Sequence, residues 1–283
     1  MDLSFAGILL TPWALALFGL CIGSFLNVVI HRLPLMLDRT WKSDSAELLS
    51  VQISLPPEIT LSTPRSRCPQ CGHAIAWHEN IPVLSYLRLG GKCSACKTRI
   101  PARYPFFEVL TALIFAALAW RFDSRPEVLA WCAFAAVLVA LAGIDWETTL
   151  LPDGLTLPLL WGGLLAAALG LTPSLPAAVW GAIAGYVSLW SVYWLFKLVT
   201  GTEGMGYGDF KLLAALGAWL GVSMVLPVVL GASILGAVVG IGMKLNSSLR
   251  EGRYVPFGPF LAGSGLAVVL LGSARVLGWL GWA

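Results

Sequence analysis

Hydrophobic residues in this chain gather in long runs rather than in alternation or in narrow helical stripes. The runs fall at about 7–30, 105–121, 127–144, 155–171, 176–196, 209–222, 224–243 and 257–280. Several approach the roughly 20 residues that cross about 30 Å of hydrocarbon. In lipid such runs satisfy their backbone groups as helices. The pattern therefore predicts an all-α polytopic membrane protein with about eight transmembrane helices. Gly221-Val222-Ser223 is the sole break between the sixth and seventh runs, so seven spans is the alternative. The first run is not read as a cleavable signal, because Met1-Asp2-Leu3-Ser4 has no basic residue. Gly23 and Asn27 inside it also suggest a permanent span with packing duties.

The long polar interruption divides the chain into a first transmembrane helix (1–31), an inserted cytoplasmic domain (32–104) and a helical bundle (105–283). The first half of the insert, with Pro56-Pro57, carries no clear pattern. The remainder is rich in Cys and Gly, with short Ile, Val and Tyr stretches suited to small strands and turns. Composition strengthens the membrane reading: 58% of residues are hydrophobic and 12% charged, roughly half the charge of an ordinary soluble domain. Charge supplies orientation. Ten of the eighteen Lys and Arg lie in 32–104, and the positive-inside rule then puts that segment in the cytoplasm and both termini outside. Alternation along the chain puts the connections 145–154 and 197–208 on the cytoplasmic side too. The expected partners are the lipid bilayer and a substrate presented at it, with no nucleic acid.

Cys68-Pro69-Gln70-Cys71 and Cys93-Ser94-Ala95-Cys96 stand twenty-one residues apart in the insert. Two C-x-x-C knuckles at such spacing point to tetrahedral zinc in a ribbon at about 65–100. Four thiolates leave no open position for water, which disfavours catalytic zinc. A redox dithiol would need one knuckle in a βαβ setting. His73 and His78 are read as loop residues. Arg65, Arg67, Lys92, Lys97 and Arg99 offset the charge of the thiolates. Cys21 and Cys132, inside spans, read as small packing side chains.

Acids at span ends are expensive and are functional candidates by default. Asp145 closes one apolar run in Gly143-Ile144-Asp145-Trp146-Glu147. Asp209 opens another in Gly206-Tyr207-Gly208-Asp209-Phe210-Lys211. In this G-x-G-D sequence, Gly206 and Gly208 would let a peptide approach the carboxylate closely, and Lys211 would support the site. Two facing carboxylates suffice for peptide hydrolysis without a metal: one ionised to take a proton from water, one protonated to polarise the carbonyl. Asp153, in Leu151-Pro152-Asp153-Gly154, reads better as a helix cap.

These residues resemble the type IV prepilin leader peptidases/N-methyltransferases. The resemblance runs through Gly23-Ser24-Phe25-Leu26-Asn27 to His31-Arg32-Leu33-Pro34, the double C-x-x-C, Asn80-Ile81-Pro82 with Ser85-Tyr86, and Arg103-Tyr104-Pro105 with Glu108. It continues in Asp145 with Leu151-Pro152-Asp153, in the G-x-G-D sequence and in Pro256-Phe257-Gly258-Pro259. It implies a bacterial inner-membrane aspartyl protease of the G-x-G-D class that cuts basic leaders from type IV prepilins and type II secretion pseudopilins. Asp145 and Asp209 match the catalytic positions and Asp153 does not. It also implies N-methylation of the new N-terminus from S-adenosylmethionine. No Rossmann-type glycine loop accompanies that expectation, so the candidates for holding the donor are Asn27, His31, Arg32, Arg103, Tyr104, Glu108 and Lys211. An ion-coupled transporter and a zinc-braced scaffold are the rivals. A rhomboid-like serine protease fits poorly, with Ser264 in Gly263-Ser264-Gly265 and His31 at a span edge.

Overall fold

The structure is a computed structural model that describes residues 5–245 and 255–282. Residues 1–4, read above for their lack of basic charge, lie outside it, as do Arg250, Glu251 and Arg253. The chain divides into two compact units, Met1–Val128 and Leu129–Ala283.

The first unit holds α1 (Phe5–Leu9), α2 (Pro12–Leu48), α3 (Leu84–Arg88) and α4 (Arg103–Arg121). Thr11 starts α2: its hydroxyl accepts the Ala14 N–H, and Pro12 follows in the first turn. The helix does not stop near residue 31. It carries Pro34 in its interior and runs 37 residues to Leu48, about 55 Å at 1.5 Å per residue. Part of the insert that showed no pattern is thus a continuation of the first helix. An Asp38–Lys42 pair one turn apart, at 2.7 Å, supports that extension.

α2 packs on α4 through a stripe of period four. A Cβ on Gly19 would stand 2.8 Å from the Ala112 Cα, and one on Gly23 would stand 2.7 Å from the Glu108 Cα. One turn on, Asn27 donates its amide to the carbonyls of Tyr104 (3.0 Å) and Gly23 (3.2 Å). Small residues bring two backbones together where lipid supplies no hydrophobic drive, and a buried amide then bonds across the seam. The packing role expected of Gly23 and Asn27 is what these contacts show.

The expected small strands do not form. Among the described residues the insert has only isolated bridges, Arg67 with Ala74 and Lys92 with Arg99. Each cysteine knuckle closes on itself within a few residues: the Cys68 N–H donates to the His73 carbonyl and the Cys93 N–H to the Thr98 carbonyl. That leaves no length for a ladder, and Tyr86 sits in the one-turn helix α3.

The second unit holds α5 (Val128–Thr148, beginning at the division), α6 (Asp153–Ala168), α7 (Leu175–Thr200), α8 (Tyr207–Leu220), α9 (Val225–Leu245), α10 (Gly258–Leu271) and α11 (Ser273–Leu280). Every predicted run corresponds to a helix, but the helices are unequal. Across the described residues five are long and apolar enough to cross a membrane, and α10 with α11, bent by 104°, makes a sixth if taken as one span. The bend is at Gly272, with φ +89°. The break at Gly221 is also real, with φ +84° before a 3-10 turn, Val222–Met224.

The two short members, α6 with 16 residues and α8 with 14, reach about 24 and 21 Å. α8 is apolar all round because protein surrounds it. Asp209, Phe210 and every residue from 212 to 220 are buried. Gly217 meets Gly181 of α7 backbone to backbone, and Gly185 rests on the Leu213 carbonyl. The Trp219 indole donates to the Leu159 carbonyl of α6 at 2.7 Å, its ring 4.9 Å from Phe134 of α5.

Gly23→Ala should destabilise the purified protein by about 1–3 kcal/mol, because the backbone opposite cannot move aside cheaply. Gly242→Ala, where a Cβ meets nothing within 4 Å, should be neutral or stabilising by up to about 1 kcal/mol. Unfolding in mixed detergent would measure both; equal effects would mean that close packing is not what joins α2 to α4.

Candidate active site

Asp145 lies in the last turn of α5, which ends as Thr149 takes a positive φ of 55°. Its side chain is 5% exposed. Its Oδ2 accepts the backbone N–H of Gly258, the first residue of α10, at 2.9 Å. Helix N-termini leave N–H groups without intrahelical partners and carry partial positive charge, so α10 meets the buried carboxylate with both. Gly258 is glycine for a steric reason: a Cβ there would stand 2.5 Å from that same Oδ2.

Asp209 is the third residue of α8, also in a first turn, and is 8% exposed. Its N–H donates to the Gly206 carbonyl at 3.3 Å. Its Oδ1 is buried with no hydrogen-bond partner, a costly condition for a polar atom that the fold itself does not use. Asp145 and Asp209 come to the same place through the packing of one side chain. Leu151, in the α5–α6 connection, is wedged between the glycines that flank them. Cβ atoms on Gly208 and Gly258 would stand 2.6 Å from the Leu151 Cβ and 3.2 Å from its Cδ2.

The two glycines of G-x-G-D therefore have different work. Gly208 is needed for close packing against Leu151. Gly206 is exposed, begins the helix with ordinary extended torsions (φ −83°, ψ 151°), and has no side chain near it, which leaves its strip of main chain open. Lys211 does not touch either aspartate. It pairs with both carboxylate oxygens of Asp153, at 2.7 and 2.8 Å. Asp153 is likewise no cap: Pro152 occupies that position and makes no side-chain bond. Gly258 and Leu151 entered the sequence reading only as parts of the family resemblance, with no role in the site. A signal existed in Gly258-Pro259, since Pro in a first helical turn marks a helix start and hence a free N–H group.

In the first unit the sulfurs of Cys68, Cys71, Cys93 and Cys96 all lie within 4.8 Å of one another. Cys68 is 3.7 Å from Cys96, and Cys71 is 4.0 Å from Cys93. A tetrahedron of 2.3 Å metal–sulfur bonds has edges of about 3.8 Å, so the spacing of the four sulfurs fits a site for one metal ion. His73 is not a ligand. Its Nε2 lies 3.2 Å from both the Glu79 carboxylate and the Ser94 hydroxyl, which ties one knuckle to the other. Bonds from Ser94, the Ala76 N–H and His73 pull the Glu79 carboxyl down to about 2.

The polar residues considered for a methyl donor are mostly engaged elsewhere. Arg32 donates to the carbonyls of Thr60 (2.8 Å) and Pro64 (2.7 Å) and holds that loop to α2. Glu108, buried in α4, accepts the N–H of Val83, which starts α3 with φ +59°. Arg103 lies over the Tyr104 ring, and His31 is exposed. Asn27 and Tyr104 bond each other as described, and Lys211 belongs to the other unit.

Comparison with known proteins places this geometry in context. Residues 17–122 match the Bacterial Peptidase A24 N-terminal domain, and residues 132–241 match the Type IV leader peptidase family. The chain is 50% identical over 254 residues to a prepilin leader peptidase/N-methyltransferase of Pseudomonas putida, covering 90% of this chain and 88% of that one. It is 50% identical over 258 residues to the Pseudomonas aeruginosa protein of the same name, with 90% and 89% covered. A third such protein, from Aeromonas hydrophila, is 51% identical over 270 residues, with 93% of each chain covered. No solved structure matches the chain. With the cysteine-bearing half and the aspartate-bearing half each matched, and relatives aligned over nearly their whole length, the chain belongs to the type IV leader peptidase family.

Proposed function

We infer that this protein is a prepilin leader peptidase and N-methyltransferase of a bacterial inner membrane, and that Asp145 and Asp209 carry the hydrolysis. The observation that carries the reading is the pairing of two buried carboxylates at helix ends, one anchored by the Gly258 N–H and the other with a free Oδ1. The relatives' names supply the substrate class and both activities. Type II secretion pseudopilins, substrates of the family, are taken as substrates here as well.

In the proposed mechanism the pair shares one proton, because like charges so close do not both ionise easily. The ionised member takes a proton from water, whose oxygen attacks the scissile carbonyl, while the protonated member gives its proton to the carbonyl oxygen. Collapse of the tetrahedral intermediate breaks the C–N bond: the proton held by the first carboxylate passes to the leaving amine, and one hydroxyl of the intermediate returns its proton to the second carboxylate, which restores the starting pair. The pair titrates as a unit, so neither residue owns one role at rest. The Gly258 N–H fixes Asp145, and the unpartnered Oδ1 of Asp209 is available to water or to the carbonyl. Leu151 packs against Gly208 and Gly258 beside them.

Zinc is the proposed occupant of the cysteine site. Four thiolates close its shell, so its role is to fold the insert, and hydrolysis does not pass through it. S-adenosylmethionine, the family's methyl donor, would supply the methyl group for the new N-terminal amine. No step is assigned to the residues picked out from the sequence. All eight apolar runs are proposed to cross, the last as α10 with α11 and the sixth as the short, protein-enclosed α8, with the insert and both aspartates on the cytoplasmic side by the charge count and the alternation along the chain.

Asp145→Asn and Asp209→Asn should each abolish cleavage of a prepilin by the reconstituted protein; full activity in either would remove the dyad. Asp153→Asn, which breaks an exposed pair worth about 0–1 kcal/mol, should keep measurable cleavage, and complete loss there would make Asp153 the partner of Asp209. Gly258→Ala should lower kcat/KM by about 10–100-fold, as expected for one misplaced catalytic group; wild-type rates would separate the Gly258 contact from catalysis. Stripping metal with a chelator should expose 65–100 to proteases and its four thiols to alkylation with little change in helical circular dichroism. Protection that survives metal removal would contradict a structural ion. With labelled S-adenosylmethionine, cleaved but unlabelled prepilin would reduce the protein to a peptidase.

A further inference from the structure

Asp209 stands in the first turn of α8, so its placement depends on how residues 201–206 deliver the chain from α7. That connection contains Gly201, Gly204 and Gly206, and glycine loses the most conformational freedom on ordering. In the structure it is nonetheless folded back. Gly201 ends α7 in the left-handed conformation, with φ +71°, and a Cβ on Gly204 would stand 2.8 Å from the Phe196 ring. The turn brings the Glu203 Oε1 to 2.8 Å from the Lys197 Nζ. Lys197 also donates to the Tyr193 hydroxyl at 3.3 Å and lies over the rings of Tyr193 and Trp194 at 5.6 and 5.4 Å. Tyr193, buried, packs its ring against Tyr207 at 5.3 Å and Phe210 at 5.6 Å. Those two side chains lie two residues before Asp209 and one after it. One continuous set of contacts therefore runs from Glu203 in the loop to Tyr207 and Phe210, on either side of Asp209.

We propose that Lys197 and Glu203 are positioning residues for Asp209: their ion pair pins the 201–206 connection to α7 and so sets the first turn of α8 where the carboxylate meets Asp145. The inference rests on the dyad reading above. Magnitudes separate this role from a general structural one. The pair is partly exposed, with side chains 34% and 64% accessible, and such pairs shift an equilibrium by no more than about fivefold. That bias is enough to hold a glycine-rich strap in one arrangement. It is too small to hold α8, whose residues from 212 onward are buried among other helices. Loss of the pair should therefore be felt in turnover and in the mobility of the strap, with little effect on stability.

The test is steady-state cleavage of a prepilin by the full-length protein in lipid, alongside amide hydrogen exchange. Lys197→Met and Glu203→Gln should each lower kcat about two- to fivefold, with KM and thermal stability unchanged. The double variant should be no worse than either single one, because the two act as a unit. Lys197→Arg, which keeps the charge, should cleave close to the wild-type rate. Exchange across 201–206 should quicken in Lys197→Met and Glu203→Gln and stay slow in Lys197→Arg. Unchanged kcat in both single variants would overturn the proposal, as would additive losses or an Arg variant as impaired as the Met one. A rise in KM alone would make Glu203 a substrate contact instead. If Asp209→Asn is inactive while the Lys197 and Glu203 variants cleave normally, this inference falls and the dyad stands. If Asp209→Asn cleaves, the dyad falls and takes the inference with it.

Discussion

A carboxylate removed from water must be met by something polar, and the bond from the Gly258 N–H to Asp145 is where this protein meets that demand. Much of the second unit is arranged around it. α10 has to begin at that point, so that an N–H without an intrahelical partner faces the acid. Residue 258 has to be glycine, because a side chain would occupy the oxygen's place. Leu151 then fills the space between Gly258 and Gly208 and brings the start of α8, with Asp209, to the same place. Asp145 has that N–H on its Oδ2. Asp209 keeps an oxygen with no partner, as expected of a group whose partner arrives with the substrate.

The first unit solves a related problem with different parts. A helix pair in lipid gains nothing from burying apolar surface, so α2 and α4 join where Gly19 and Gly23 let backbones touch and where Asn27 can bond across. The same pair then carries the insert. Glu108 reaches out of α4 to the N–H of Val83, and Arg32 reaches out of α2 to the carbonyls of residues 60 and 64. The four cysteines close the far end without any strand. An insert with a thin apolar core thus has a cluster of four cysteines at one end and polar ties to two helices at the other.

Much of this was legible in the residues. Apolar runs announce helices in lipid directly, because length and composition are the whole requirement, and C-x-x-C pairs announce a thiolate shell. Asp145 and Asp209 stood out because acids at span ends are rare. What stayed hidden depends on distances between segments remote in sequence. Pattern cannot show that Pro34 lets α2 continue to Leu48, since proline more often ends a helix. It cannot show that Asp153 takes Lys211 rather than a helix terminus, because both uses suit an exposed carboxylate. Unequal helix length was hidden for a similar reason: a short helix sheathed in protein is as apolar as one facing lipid. The donor to Asp145 was invisible as a side chain, being a backbone N–H at a glycine.

The central claim is that Asp145 and Asp209 act on one peptide bond together. Its most direct test is a structure of the protein with a prepilin-derived peptide whose scissile bond is replaced by a hydroxyethylene group, the non-cleavable counterpart of the tetrahedral intermediate. The account predicts that the inserted hydroxyl lies within hydrogen-bonding distance of both carboxylates, with the Gly258 N–H still on Asp145. A hydroxyl bound to one aspartate alone, with the other too far for a single water to bridge, would contradict it.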